Sequence, residues 1–450
     1  MSKDKLAIDN SQVPEGYKKT EVGVIPEDWE VKTYEDIFTF LTTASNPRAD
    51  LSLDKEVEYI HYGDIHTKWD CLLDLRLEFL PSISKQKVKR ATILEEGDVI
   101  MADASEDYEG IGKSVEVINI SERHIVAGLH TFLLRDKNQV FTDGYRGYLH
   151  RIESVKQSID RMATGLKVYG ISKKNLKNIL LPVPGKKEQR AIAQTLSDVD
   201  GLIAALDKSI AKKRNIKTAT MQELLTGKKR LPGFGERKGY KNTEIGVIPE
   251  DWEVNKIGEI ANVDRENLTA KTYAEYQFKY ISLEDVDRGT LKGYSEQVFS
   301  TSPSRARRVL RYGDVLFSTV RPNLKSHLLF NKDDDDWVCS TGFSVLRCQN
   351  DFSIAAFLFF HLFSGNINKQ IETLIAGSNY PAINSSDVRK LEIAVPEVEE
   401  QRAIASILSD MDAEIAALEK RQNPSHEARH DAGTLNRKNP THRSQPSLKP

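Results

Sequence analysis

The run DYEGIGKS, residues 107–114, ends in Gly-Lys-Ser and comes nearest to a phosphate-binding loop in this chain. In the G-x-x-x-x-G-K-[ST] loop, glycine backbone approaches the anion. Here the first glycine position is Asp107, whose carboxylate repels phosphate. Glu30 and Lys32 form an E-x-K of the kind a metal nuclease uses, yet the same stretch recurs as Glu253-Val254-Asn255 without the lysine. The sequence has no Gly-rich dinucleotide fingerprint and no Asn-Pro-Pro-Tyr or Asp-Pro-Pro-Tyr box for a flipped base. HxE, HExxH and GxSxG patterns are also missing. Cys71, Cys339 and Cys348 are odd in number and lack CxxC spacing, which fits a reducing compartment rather than a zinc site. The residues argue against catalysis by this chain and leave binding as the chemistry to explain.

Donor-rich loops supply that chemistry. The segment FSTVRPNLKSH, residues 317–327, follows a Gly-Asp turn and carries Ser318, Arg321, Asn323 and Lys325, types that donate to phosphates or read base edges. The first half of the chain offers Ser105, Tyr108, Lys113, Lys167 and Tyr169, the last two matched further on by Asn379 and Tyr380. Arg305, Arg307, Arg308 and Arg311 form a basic cluster, and residues 186–230 hold eleven Lys or Arg against five Asp or Glu. The net charge of −2 hides this distribution, because the acidic run Asp333 to Asp336 offsets it. Any one of these residues alone is an ordinary solvated loop residue. Their recurrence at equivalent places in two halves singles them out.

The halves are defined by repeats. GYKKTEVGVIPEDWEV at 16–31 returns as GYKNTEIGVIPEDWEV at 239–254, identical at fourteen of sixteen positions. EQRAIAQTLSDVDGLIAALDK at 188–208 returns as EQRAIASILSDMDAEIAALEK at 400–420, identical at fifteen of twenty-one. Between them lie dissimilar segments with faint echoes: ILEEGDVIMADAS against VLRYGDVLFSTVR, and GLKVYGISKKNLKNILLPVP against GSNYPAINSSDVRKLEIAVP. Apolar runs after a Gly-Asp turn predict strands, and HTFLLR and GFSVLR add to a mixed sheet. Each variable segment therefore reads as an α+β globule sharing one fold. The apolar run Ile354 to Phe363 spans about half the length a bilayer requires, so a buried helix is expected.

The second repeat predicts long helices. Ile192, Leu196, Val199, Ile203, Leu206 and Ile210 step by four and three, and Ile404, Leu408, Met411, Ile415 and Leu418 repeat the stepping. Such stripes would also suit helices lying each on its own globule. The narrow 3.5-residue seam favours mutual pairing in an antiparallel coiled coil.

The resulting division is a lead at 1–15, a first recognition globule at 16–184, a helix at 185–227 and a linker at 228–238. A second globule at 239–397, a shortened helix at 398–421 and a tail at 422–450 complete it. The tail has four prolines and little apolar content and is expected to be disordered. Its histidines, His426, His430 and His442, lack the spacing of a metal site. No apolar signal segment opens the chain, so a cytoplasmic location and no membrane association are expected.

Taken in order, GVIPEDW, EQRAIA, LSDVD and MQELLTGKKRL resemble the specificity subunit of type I restriction and modification systems, over residues 14 to about 421. That resemblance implies a DNA-binding subunit without catalysis, with two target recognition domains that each read one half of a split target on double-stranded DNA. It further implies two methyltransferase subunits using S-adenosylmethionine and motor-nuclease subunits using ATP and Mg2+, with no cofactor bound by this chain. The family pattern would carry the second helix into a MQELLTG-like end, which this sequence lacks. Three outcomes follow for the helices: a shorter coiled coil, residues 212–226 of the first helix unpaired, or those residues paired with another chain.

Overall fold

The computed structural model describes residues 13–165, 167–235, 239–348, 352–375 and 381–422. It forms two compact units, residues 1–202 and 203–450, with the boundary inside one continuous helix, Lys186–Leu224.

In the first unit a five-stranded sheet runs in the order Phe38–Leu41, Thr131–Asp136, Val99–Ala102, Ser114–Ile118 and Leu72–Asp74. Only the last pair is parallel. Alternate side chains enter different cores: Val99, Met101 and Leu134 on one face, Ile100, Val115 and Leu133 on the other. Burial on both faces explains why these strands read as unbroken apolar runs.

The second unit repeats the first four strands as Ala261–Val263, Phe343–Cys348, Val315–Ser318 and Leu328–Leu329. Register is repeated as well. Leu134 stands opposite Phe40 and Val99, and its counterpart Leu346 stands opposite Val263 and Val315. A slip of one residue would exchange the two buried faces, so the apolar alternation holds the register even where identities have diverged. The expected common fold is thus present in both halves.

The Gly-Asp turns and the arginines that end HTFLLR and GFSVLR form one device. Gly97 and Gly313 adopt left-handed φ of 79° and 84°. The buried Asp98 carboxylate accepts Arg135 Nε and Nη2, each at 2.8 Å; Asp314 accepts the same two nitrogens of Arg347, each at 2.7 Å. Burial pushes the Asp314 carboxyl up, and Arg347 opposes the shift.

Beyond the sheets the halves differ. The apolar run forms the expected buried helix, Phe352–His361, where the first unit has the 3-10 segment Arg146–Arg151. No helix among the described residues is long and apolar enough to cross a membrane.

The constant stretches frame each globule. Hairpins Tyr17–Thr20 with Gly23–Pro26 and Tyr240–Thr243 with Gly246–Pro249 share one register, and Glu30–Thr33 pairs with Leu180–Val183 as Glu253–Lys256 pairs with Glu392–Val395. The EQRAIA glutamines lock each helix start. Gln189 and Gln401 are buried, and their amides donate to Pro184 O and Pro396 O, both at 2.8 Å.

The helices pair antiparallel as expected, but only part of the predicted seam is used. The second helix, Val398–Gln422, runs antiparallel to the first within the second unit: Lys213 meets Glu414 at 2.5 Å, Arg214 meets Glu419 at 2.6 Å, and Lys217 meets Asp412. Within residues 212–226, for which lying unpaired or pairing with another chain were two of the alternatives, Lys213, Arg214 and Lys217 pair with the second helix of the same chain. Ile210 and Ile415 are buried, Leu206, Met411 and Leu418 partly so, and Ile404 and Leu408 share a core with the helix Phe352–His361. Ile192 packs on the core of the first unit, while Leu196, Val199 and Ile203 are exposed. Antiparallel pairing sets the start of one helix against the end of the other. Gln422 Nε2 donates to Asp207 at 2.6 Å, where the described part of the second helix ends. The tail, 422–450, lies almost wholly outside the described residues.

Candidate nucleic-acid interface

In each unit the central strand of the sheet ends in a short extension that pairs with a distant segment. Ala104–Ser105 pairs antiparallel with Tyr169–Gly170, and Val320 bridges Ala382 in the same way. The loops carrying the predicted donors therefore meet at corresponding corners of the two globules.

In the first unit this corner unites Ser105, Tyr108 and Tyr169. The tyrosine rings stand 4.1 Å apart, tilted by 49°, with Tyr108 exposed. Lys167 is exposed two residues before Tyr169. Ser105 is buried and its hydroxyl accepts the Asp107 N–H at 3.2 Å, closing the loop rather than facing outward. Lys113 donates to His66 O at 3.2 Å, so it helps to position the same corner.

Sequence reasoning missed three residues beside them. Tyr62 lies 6.0 Å from His66 and 5.5 Å from His130, edge to face, and the exposed His130 sits at φ 57° with Nδ1 3.3 Å from Asp103. Tyr62 and His66 are visible in HYGDIH, residues 61–66, but nothing in the sequence joins that run to position 130.

In the second unit Arg321 and Lys325 take left-handed φ of 49° and 58° around Pro322–Leu324. Such angles are uncommon for non-glycine residues and here turn a compact polar loop outward. Arg321 N–H donates to Pro381 O at 2.8 Å, and Arg321 and Asn323 are exposed. Burial, followed by the Arg288 charge, lowers the Lys325 pKa. Asn379 and Tyr380 lie outside the described residues.

The arginine cluster divides. Arg305 is exposed. Arg307 donates to Ala306 O at 2.7 Å and lies 5.0 Å from the Phe299 ring centre, while Arg308 pairs with Asp264 at 3.0 Å. Ser318 is buried, and its hydroxyl donates to Val320 O at 2.9 Å. Arg308 and Ser318 thus hold the loops in shape, and Arg307 is engaged through Nη1. Tyr108, Lys167, Arg305, Arg321 and Asn323 remain on the surface.

Asp70, Cys71 and Asp200 bring metal-ligand atoms within 4.8 Å of one another. They are already engaged. Arg151 pairs with Asp70, Tyr148 donates to Asp200 at 2.8 Å, and burial pushes the Cys71 thiol up to about 12.

The duplicated scaffold recurs in known proteins. The chain belongs to the type I restriction modification DNA specificity domain family, which it matches twice, at residues 26–213 and 249–425. It is 26% identical over 419 residues to the type I restriction enzyme MjaVIII specificity subunit of Methanocaldococcus jannaschii, covering 91% of this chain and 92% of that one. The EcoBI specificity subunit of Escherichia coli is 23% identical over 310 residues, 64% of this chain and 63% of that one. Among solved structures, the type I restriction-modification S subunit from M. genitalium superposes with a TM-score of 0.52 at 15% identity, over 90% of this chain and 94% of that one. That likeness speaks for the fold.

Proposed function

We propose that this chain is the DNA-reading subunit of a type I restriction and modification complex, each globule reading one half of a bipartite double-stranded target. The observation that carries the reading is the duplication itself: one sheet register occurs twice, with different side chains mounted at the same corner. The first corner offers tyrosine rings, His130 and Lys167; the second offers Arg321 and Asn323, with Arg305 exposed elsewhere on the same unit. Different donors on one frame suit two different base sequences, since base contacts specify while phosphate contacts position.

In this reading the chain performs no catalysis, binds no cofactor and works in the cytoplasm. Two methyltransferase subunits would bring S-adenosylmethionine, and motor-nuclease subunits would bring ATP and Mg2+. The near-identical constant stretches suit two copies of one partner, because two equal partners require two equal contacts. The test is to map N6-methyladenine in cells with and without this chain beside its methylating subunit. A two-part motif should vanish with the chain; a motif that persists would refute the assignment.

A further inference from the structure

The two copies of VIPEDW are alike in sequence and hairpin register but not in what covers them. In the second unit the helix-end segment MQELLTGKKR, residues 221–230, lies on its copy. Leu224 and Leu225 are buried, and Gly227, at φ 66°, comes so close that a Cβ would stand 2.4 Å from the Pro249 ring. Arg230 then grips two acids. It donates to both Asp251 oxygens at 3.0 Å and to the Glu400 oxygens at 2.7 and 2.8 Å, while its guanidinium lies 5.6 Å from the Trp252 ring centre. Trp252 is fully buried and donates to Glu400 at 3.1 Å.

The first unit has the same receptor. Trp29 Nε1 donates to Glu188 at 2.8 Å, as Trp252 does to Glu400. Here, however, Trp29 is only partly buried, Asp28 and Glu188 are exposed, and no ion pair joins either acid to a cation among the described residues. The sequence following the second helix, 422–450, carries no Leu-Leu-Thr-Gly-Lys-Lys-Arg stretch, and the chain's own 221–230 segment occupies the second receptor.

We propose that the first VIPEDW face, Pro26, Asp28 and Trp29 with Glu188, is an acceptor for a basic helix-end segment of the MQELLTGKKR type supplied by a separate polypeptide. The occupied copy defines the required chemistry. Two leucines cover the hairpin, a glycine allows close approach to the proline, and an arginine bridges the two carboxylates bidentately over the indole. The chain would in this way complete its scaffold in trans.

The test uses the full chain and a fluorescent synthetic peptide of residues 209–231, followed by anisotropy at low and moderate salt. Saturable one-to-one binding is expected. It should weaken about ten-fold or more in the Asp28→Asn/Glu188→Gln chain and when the peptide carries Arg230→Gln. Both substituted acids are exposed, so circular dichroism should show the fold unchanged. Binding indifferent to these substitutions, or no binding, would overturn the proposal. Binding that arises only after residues 423–450 are removed would assign the face to the chain's own tail. Dimerisation of the full chain that blocks the peptide would assign it to a second copy. Either result would also refute a separate partner.

Discussion

The most consequential single residues are buried ones rather than loop donors. Arg347 holds Asp314, whose carboxylate is fully shielded, and Arg135 does the same for Asp98. Removing the arginine leaves an unpaired buried charge. Arg347→Ala should therefore cost about 3 kcal/mol or more in urea unfolding, and a loss under about 1 kcal/mol would contradict the role assigned to this pair. His361 offers a second test. It is buried against Phe357, and burial lowers its pKa from 6.5 to about 3. Below pH 6.5 the unfolded chain takes up a proton that the folded chain refuses until about pH 3, so stability present above 6.5 is lost as pH falls. The loss approaches about 1.4 kcal/mol per pH unit. His361→Phe should flatten the fall in Tm between pH 6.5 and 4.5 relative to the parent; parallel curves would count against it. On the surface, Arg305→Ala should weaken DNA binding and lower the slope of log affinity against log salt by about one, and an unchanged slope would exclude it from phosphate contact.

At the scale of elements, the stretch Leu196 to Ile203, whose apolar side chains are exposed, invites a deletion that sacrifices no apolar core and only the Tyr148–Asp200 hydrogen bond. Removing four residues there shortens the helix by about 6 Å, and the preferred gap between half-sites should change. Binding that persists with the original gap would show that this helix does not set it. The helices also show what was legible. Their existence and extent could be read from the 3.5-residue stepping and from the lack of breakers, but their pairing register could not. Periodicity gives the face of a helix and not its partner. The antiparallel sense could be read from the stripes but not which turns meet: Lys213 lies against Glu414, and Val199 is left exposed. The sheets were legible through alternation and the Gly-Asp turns. The corner residues were legible in part. Tyr108 and Tyr169, both singled out in sequence, prove to be neighbours, while the Tyr62 and His130 contact depends on a fold that joins distant segments. Arg308 and Ser318 look like donors in sequence, and only geometry shows Asp264 and Val320 already holding them.

For the whole molecule, duplication is the governing fact. A constant frame carries two divergent corners, and the frame rather than the corners is what the two internal repeats share. If the corners read DNA independently, exchanging one globule must rewrite one half of the target and leave the other half untouched. The direct measurement is to replace residues 32–180 with the corresponding segment of a relative, assemble the chain with its methylating partner, and determine the motif by methylation mapping. The account predicts a new sequence in one half-site, with the other half-site and the gap unchanged. Alteration of both halves, or a single continuous target, would contradict it.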